Sequence, residues 1–379
     1  MRILFLALDV DLTAPRGDAV HVLELVRNLT TLGHEVRLMA GGRPPDSEPF
    51  RFSPAPRSTW RQLLLAFRLA RGWADVVYER RTSPKVAWTI SSLTGIPFVV
   101  EINGVLREEV HASATRNFTG SVRVRLRRRM LRQAAAVVAV SEGVRRSIIT
   151  DLGVGDDRVW TVPNGANTEV FRPMDKLESR RSLGIRPTDR VICYVGSLAP
   201  WQGVRHLLAA SARLKHKGVE QMVLILGTGP EESHLKAYAE KLGISTSVQF
   251  VGAPSNSRVP VYVNAADVCT APFETTRRAS PIKIFEYLAC GKPVVASDVD
   301  EVGSFLRQTG SGVVVEPANP EVLSEAIEWL FRHPAESDLM GLRGRAAVQR
   351  TRSWATTAAG VAGVLGKAVS RKREQAVAG

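Results

Sequence analysis

Along almost the whole chain, short continuous apolar runs alternate with stretches whose apolar residues recur at i, i+3, i+4 and i+7. The runs suit strands buried on both faces, and the recurring pattern suits helices packed on them. Together they predict an α/β protein with parallel sheets. Ile3–Leu8 reads as a first strand. Val22, Leu25, Val26 and Leu29 give one apolar face to a helix over Ala19–Leu32, which Gly33 stops. Further strands read at Glu35–Ala40, Ala74–Tyr78, Pro97–Ile102, Ala134–Val140 and Val159–Val162, with helices around Trp60–Ala70 and Val86–Leu93.

The pattern then breaks. Pro163-Asn164-Gly165 is strong turn chemistry, and a polar stretch runs from Arg172-Pro173 to Asp189. The alternation restarts with strands at Val191–Val195, Met222–Leu226, Val248–Val251, Val268–Ala271, Pro293–Ser297 and Gly312–Val315. Helices read at Val204–Lys215, Glu231–Lys241, Pro281–Ala289 and Pro320–Phe331. The expected organisation is an N-terminal domain over 1–168, a linker over 169–189 and a C-terminal domain over 190–352. A C-terminal helix with a basic tail over 353–379 is expected to return toward the first domain. Ligands of such sheets bind at the carboxyl ends of the strands, and two-domain versions bind between the halves.

Composition narrows the classes. The 379 residues are 44% hydrophobic and 23% charged, which excludes a disordered or fibrous chain. Cys193, Cys269 and Cys290 are far apart and lack zinc-type spacing, so they read as small buried hydrophobes in a reducing compartment. No apolar run approaches the ~18–20 residues that span a bilayer, and the run Ile3–Leu8 lacks a cleavage site behind it. A cytoplasmic protein is expected, with peripheral association at the inner face of the plasma membrane open to it. The net charge of +14 leaves nucleic acid, an anionic membrane or a polyanionic substrate as partners. Aromatics make up only 6% and the most Arg-rich helix contains none, which argues against nucleic acid.

Several stretches could carry chemistry. The loop Asp9–Asp18 leads into a helix at Gly17 whose free N–H groups could face an anion, with His21 near its start. It lacks GxGxxG, so no nicotinamide or flavin cofactor is expected. Gly227-x-Gly229 fits either a tight turn or a backbone approach to phosphate. Asp9/Asp11 and Asp298/Asp300 could hold a metal or could simply end strands; no metal site is expected. The most informative stretch runs from Ser280 to Ser297. Pro281 suits the first turn of a helix and Ile282 begins its apolar face. Lys283 and Glu286 then form an i, i+3 pair at an end whose free amides favour phosphate. Lys283 supplies a cation, and Glu286 can accept from ribose hydroxyls; the alternative is a surface ion pair.

This stretch resembles the donor motif of the family 4 glycosyltransferases. Arg16-Gly17-Asp18-Ala19-Val20-His21-Val22 is similar to the family's N-terminal glycine loop. Val138-Ala139-Val140-Ser141-Glu142, followed by Val162 to Ala166-Asn167 and Phe171-Arg172-Pro173, is similar to its interdomain segment. Tyr194 to Gly203, Leu226-Gly227-Thr228-Gly229-Pro230 and Phe250-Val251-Gly252 resemble its C-domain loops. The resemblance implies the GT-B fold of two facing Rossmann-like domains. It also implies retaining transfer from a nucleotide diphosphate sugar, the donor substrate, to a glycan, lipid-linked or small-molecule acceptor, with no obligatory cofactor. On the donor side it implies Gly196, Ser197, Gln202, Gly203, Gly227, Gly229, Val251, Gly252, Arg277, Arg278, Ser280, Pro281, Ile282, Lys283 and Glu286. On the acceptor side it implies Gly17, His21, Asn103 and Gly104, and the catalytic set is His21, Glu101, Asn103, Lys283 and Glu286.

The chain departs from the family pattern at three places. Arg278 stands where a first glutamate is usual, with Glu274 nearby at another spacing. Ser197 and Gln202 stand where a basic pair is usual, which passes the diphosphate to Lys283, Arg277 or Arg278. Asn103 stands where a histidine is common, with Glu101 or His21 as substitutes. The departures suggest rearranged donor contacts; the other reading is a non-catalytic subunit that binds sugar nucleotides. Finally, Ser121–Arg132 holds six arginines and no acid. Val122, Leu126 and Met130 read as one apolar stripe among them, the pattern of a helix on an anionic membrane surface, or of a helix packed on its own domain. The tail Lys367–Arg373 adds further positive charge.

Overall fold

The computed structural model describes residues 1–14, 16–104, 118–274 and 281–378. The chain divides into two compact units at Asn164/Gly165, and the segment from Trp354 onward belongs to the first.

The first unit contains a seven-stranded sheet in the order β3-β2-β1-β4-β5-β6-β7, with every pair parallel. Its strands are β1 (Arg2–Asp11), β2 (Glu35–Gly41), β3 (Arg51–Pro54), β4 (Val76–Arg80), β5 (Phe98–Ile102), β6 (Ala136–Ala139) and β7 (Val159–Thr161). The helices between them are α1 (Gly17–Thr31), α2 (Thr59–Ala70), α3 (Lys85–Thr94), α4 (Phe118–Gln133) and α5 (Glu142–Leu152). Strand β1 shows why its run is continuous. Ile3 and Phe5 point into a core closed by Val22, Leu25 and Val26 of α1, while Leu4 and Leu6 point into a second core with Val86 and Ala87 of α3. Both faces are covered, as the unbroken apolar pattern requires. Trp354–Ala378 packs Val361, Leu365 and Ala368 into the first of these cores.

Two details differ from the sequence reading. β3 is a seventh strand, at the sheet edge beside β2. It escapes the pattern because Arg51, Ser53 and Pro54 surround its one large apolar residue, Phe52, as edge strands allow. The apolar stripe of α4 is also split. Met130 is buried, together with Val124 and Leu131, whereas Val122 is 47% and Leu126 38% exposed. The inward face takes its phase from Val124 and Leu131, one helical repeat of seven apart.

The second unit holds a six-stranded parallel sheet in the order β10-β9-β8-β11-β12-β13. Its strands are β8 (Val191–Val195), β9 (Met222–Leu226), β10 (Val248–Gly252), β11 (Val268–Ala271), β12 (Val294–Ser297) and β13 (Gly312–Val315). The helix Lys176–Ser182 falls within the polar stretch, and its Arg180 is buried against Asp267, at 2.8 Å. Asp267 also accepts from the Val191 N–H at 2.7 Å, fixing the start of the central strand. All three cysteines are buried here, as expected of small hydrophobes. No described helix is long and apolar enough to cross a membrane.

Candidate active site

In the second unit the site lies where four strand ends meet loops, at the carboxyl edge of the sheet. Gly196 follows β8, Gly227 follows β9, Gly252 ends β10 and Phe273 follows β11. Gly227 has φ +133°, and a Cβ there would fall 1.9 Å from the Gly196 carbonyl oxygen. A Cβ on Gly229 would fall 2.6 Å from the backbone of Leu198. Leu198 N–H donates to Thr228 O at 3.0 Å, and Gly227 N–H donates to Gly252 O. The Gly-x-Gly fragment is therefore a tight packing of three loops, with backbone at their crossing and no side chains there. Gly227→Ala should cost about 1–3 kcal/mol from backbone strain alone. A thermal melt reads that loss, and an unchanged Tm would show that the loops can move apart.

Lys283 rises into this cradle from the second residue of the helix Ile282–Ala289, whose N-cap Pro281 is extended and supplies no capping side chain. The first-turn amides thus have no side-chain cap. The Lys283 ammonium donates to Gln202 Oε1 at 2.8 Å and lies 4.2 Å from the centre of the Tyr194 ring. Gln202 in turn donates to Ser197 Oγ at 3.3 Å. Ser197 and Gln202 thus form a hydrogen-bonded chain that steers one lysine. Gly196 makes room for it, since a Cβ there would fall 2.4 Å from the ammonium nitrogen. Burial pushes the Lys283 ammonium down to about 7, against a weaker opposite pull from Glu286, which is itself buried one turn on. Ile282 and Val251 are half-buried beside these loops. Gly203 is held at φ +69° with its α-carbon against the Pro272 carbonyl, which fixes the loop bearing Gln202. Glu274 faces His206 at 3.8 Å. Arg277, Arg278 and Ser280 lie outside the described residues.

In the first unit, β4 and β5 pair Arg80 with Glu101, and strand alternation sets Tyr78 on the same face as Arg80. Glu101 is buried. His21 Nε2 lies 2.8 Å from its Oε1, Arg80 Nε lies 3.5 Å away, the Asn103 amide donates to the same oxygen and the Tyr78 hydroxyl donates to Oε2. Burial opposes the carboxylate, yet His21, Arg80 and Tyr78 together outweigh it and hold the carboxyl at about 2. Because an ionised carboxylate only accepts, the neighbouring amide must turn its NH₂ toward Glu101, which leaves Asn103 Oδ1 as an acceptor. His21, one turn inside α1, also meets Trp354 edge-on at 5.2 Å. Gly17 opens α1, and neither it nor Gly104 has a neighbour that a Cβ would strike. Tyr78 and Arg80 were not singled out from the sequence; the signal was there as polar residues closing an otherwise apolar buried strand.

One carboxylate of each Asp-x-Asp pair has a local partner. Asp11 accepts from the Thr13 N–H and hydroxyl, at 3.0 and 2.6 Å, and Asp298 pairs with Arg307.

Two doubly wound parallel-sheet units, the second with glycine-lined loops over a buried lysine, define the GT-B class. Residues 15–170 match the family described as Glycosyltransferase Family 4, and residues 175–346 that described as Glycosyl transferases group 1. The chain is 26% identical to the D-inositol 3-phosphate glycosyltransferase of Acidothermus cellulolyticus, over 95% of this chain and 88% of that protein. Its fold is similar to sucrose-phosphate synthase of Thermosynechococcus elongatus, with a TM-score of 0.81, 20% identity and full coverage of both chains. It is also similar to Anabaena HepE in complex with UDP-glucose, with a TM-score of 0.80, 17% identity and coverage of 97% and 99%. The chain belongs to the family 4 glycosyltransferases and is a sugar-transferring enzyme.

Proposed function

We propose that the donor is a nucleoside diphosphate sugar held by the second unit, and that its sugar passes with retention to a hydroxyl of a glycan, lipid-linked or small-molecule acceptor. The observation that carries this reading is the Lys283 ammonium, held by Gln202 in a cradle of glycines at the uncapped start of a helix. An ammonium and free amides favour a diphosphate, and the side-chain-free loops leave room for it. The ligand of the HepE complex, UDP-glucose, is of this class. The inositol phosphate in the name of the A. cellulolyticus relative supports a small polyhydroxylated acceptor as one option.

In this reading the acceptor oxygen bonds to the anomeric carbon on the face from which the diphosphate departs. The bond from that carbon to the phosphate oxygen breaks, and the acceptor proton goes to the departing oxygen. Lys283 neutralises charge as it develops on that oxygen. Glu286 accepts from the ribose. In the first unit, Asn103 Oδ1 accepts from a sugar hydroxyl and Glu101 fixes its orientation. The test is a thermal-shift screen against nucleoside diphosphates and their sugars, followed by turnover with the donor that stabilises most. Stabilisation by no diphosphate would overturn the reading.

With a lysine as counter-cation, turnover should survive excess chelator. Complete loss on chelation, restored by a divalent ion, would contradict that. Contact with an anionic membrane surface along 121–132 is supported by exposed Val122 and Leu126 among the arginines. Lys367 of the tail is engaged over the Trp160 ring at 3.7 Å and adds less to such a face.

A further inference from the structure

The C-terminal half of α4 carries a feature that sugar transfer does not use. Arg125, Arg128, Arg129 and Arg132 stand at i, i+3, i+4 and i+7 and so share one side of the helix. With Gln133 they line an open cavity of about 390 Å³. We propose that this cavity binds a multiply charged phosphate group, carried either by a soluble polyphosphate or by a lipid headgroup.

Every polar group around the cavity is a donor. A guanidinium has no acceptor. The Oε1 of Gln133 is taken by the Trp88 indole N–H, which leaves the amide NH₂ to the cavity. Two of the guanidinium groups are fixed in advance by the C-terminus of α5. Arg128 donates to Asp151 O at 2.8 Å and Arg132 donates to Gly153 O at 3.0 Å. Gly153 is in the left-handed region at φ +65°, and a Cβ there would fall 2.6 Å from Arg132 Nη2, so the glycine gives the guanidinium its place. Cations satisfy the carbonyls of a helix C-terminus, which accounts for these two contacts but not for Arg125 and Arg129. Among the described residues no carboxylate lies within ion-pair distance of any of the four. The pairs Arg125/Arg129 and Arg128/Arg132 repel at i, i+4, and a bound polyanion relieves both. A phosphate group, with several acceptor oxygens, matches such a set of forked donors better than a carboxylate.

The test uses the full chain, the variant Arg125→Gln/Arg129→Gln and the variant Lys283→Ala. Tripolyphosphate binding is followed by calorimetry, and cosedimentation is followed with vesicles of phosphatidylcholine with and without phosphatidic acid, whose phosphomonoester can carry a second charge. Arg125 and Arg129 are exposed and hold no helix end, so the double variant should melt like the wild type. Tripolyphosphate should still bind Lys283→Ala, whose donor cradle has lost its cation, and the binding that persists there should be at least roughly tenfold weaker at this cavity in the double variant. Binding confined to vesicles that contain phosphatidic acid, and lost in the double variant, supports the site with a lipid headgroup as the source. Equal binding of both probes by the wild type and the double variant overturns the proposal, as does no binding of either probe to the wild type.

Discussion

Replacing Lys283 by alanine should weaken binding of a nucleoside diphosphate by roughly ten- to a hundredfold while leaving the bare nucleoside nearly unaffected, because a lost charge-assisted contact is worth about 1.5–3 kcal/mol. The geometry makes the effect selective. Gln202, Tyr194 and Gly196 surround the ammonium end, so alanine empties the cradle without disturbing the helix that bears it. The contact also carries a pH signature. Burial holds the free ammonium at about 7, and an adjacent phosphate favours its charged form. Binding therefore takes up a proton. Affinity for the diphosphate is highest below about pH 7 and falls as pH rises through that value. Lys283→Ala should lose this slope. Calorimetry in buffers of different ionisation enthalpy measures both quantities, and equal weakening of nucleoside and diphosphate would place Lys283 away from the phosphates.

The second large effect is structural. Glu101 balances His21 and Arg80 inside the first unit, so Glu101→Ala leaves positive and donor groups buried without their acceptor. Removing one partner of a buried charged cluster costs about 3–5 kcal/mol. For a chain of this size that is a fall in Tm of about 4–6 °C. The isosteric Glu101→Gln keeps the volume but brings an amide N–H against donors, so it should recover only part of the loss. The folded carboxyl titrates at about 2 against an ordinary 4.5. Its contribution is thus complete above about 4.5 and is lost as pH falls through 2, so the gap between wild type and Glu101→Gln should narrow on acidification. A constant gap across that range would mean that Glu101 is not held ionised by its neighbours.

The sheets were legible because parallel strands covered on both faces leave unbroken apolar runs, as in Ile3–Leu8 and Met222–Leu226. β3 was not, because an edge strand needs little apolar burial and Pro54 reads as a turn. Lys283 and Glu286 were legible from their spacing at a helix start and from the resemblance of the surrounding stretch. The partners that define what Lys283 does were less so. Gln202 read as a missing cation, and only the fold shows its carbonyl oxygen turned to the lysine 81 residues away. Tyr78 and Arg80 meet Glu101 through strand register, which periodicity alone does not specify. The phase of α4 failed for a related reason. Val122, Leu126 and Met130 fit one stripe, Val124 and Leu131 fit another, and the tertiary core chose between them.

Phosphorus and proton NMR of a complete reaction test the transfer most directly. The purified chain is mixed with its best-binding nucleoside diphosphate sugar and a polyhydroxylated acceptor, with chelator present. The predicted result is nucleoside diphosphate and a new glycoside in equal amounts, with the anomeric configuration of the donor kept in the product. Release of no nucleoside diphosphate from any donor that binds, or a product of inverted configuration, would contradict it.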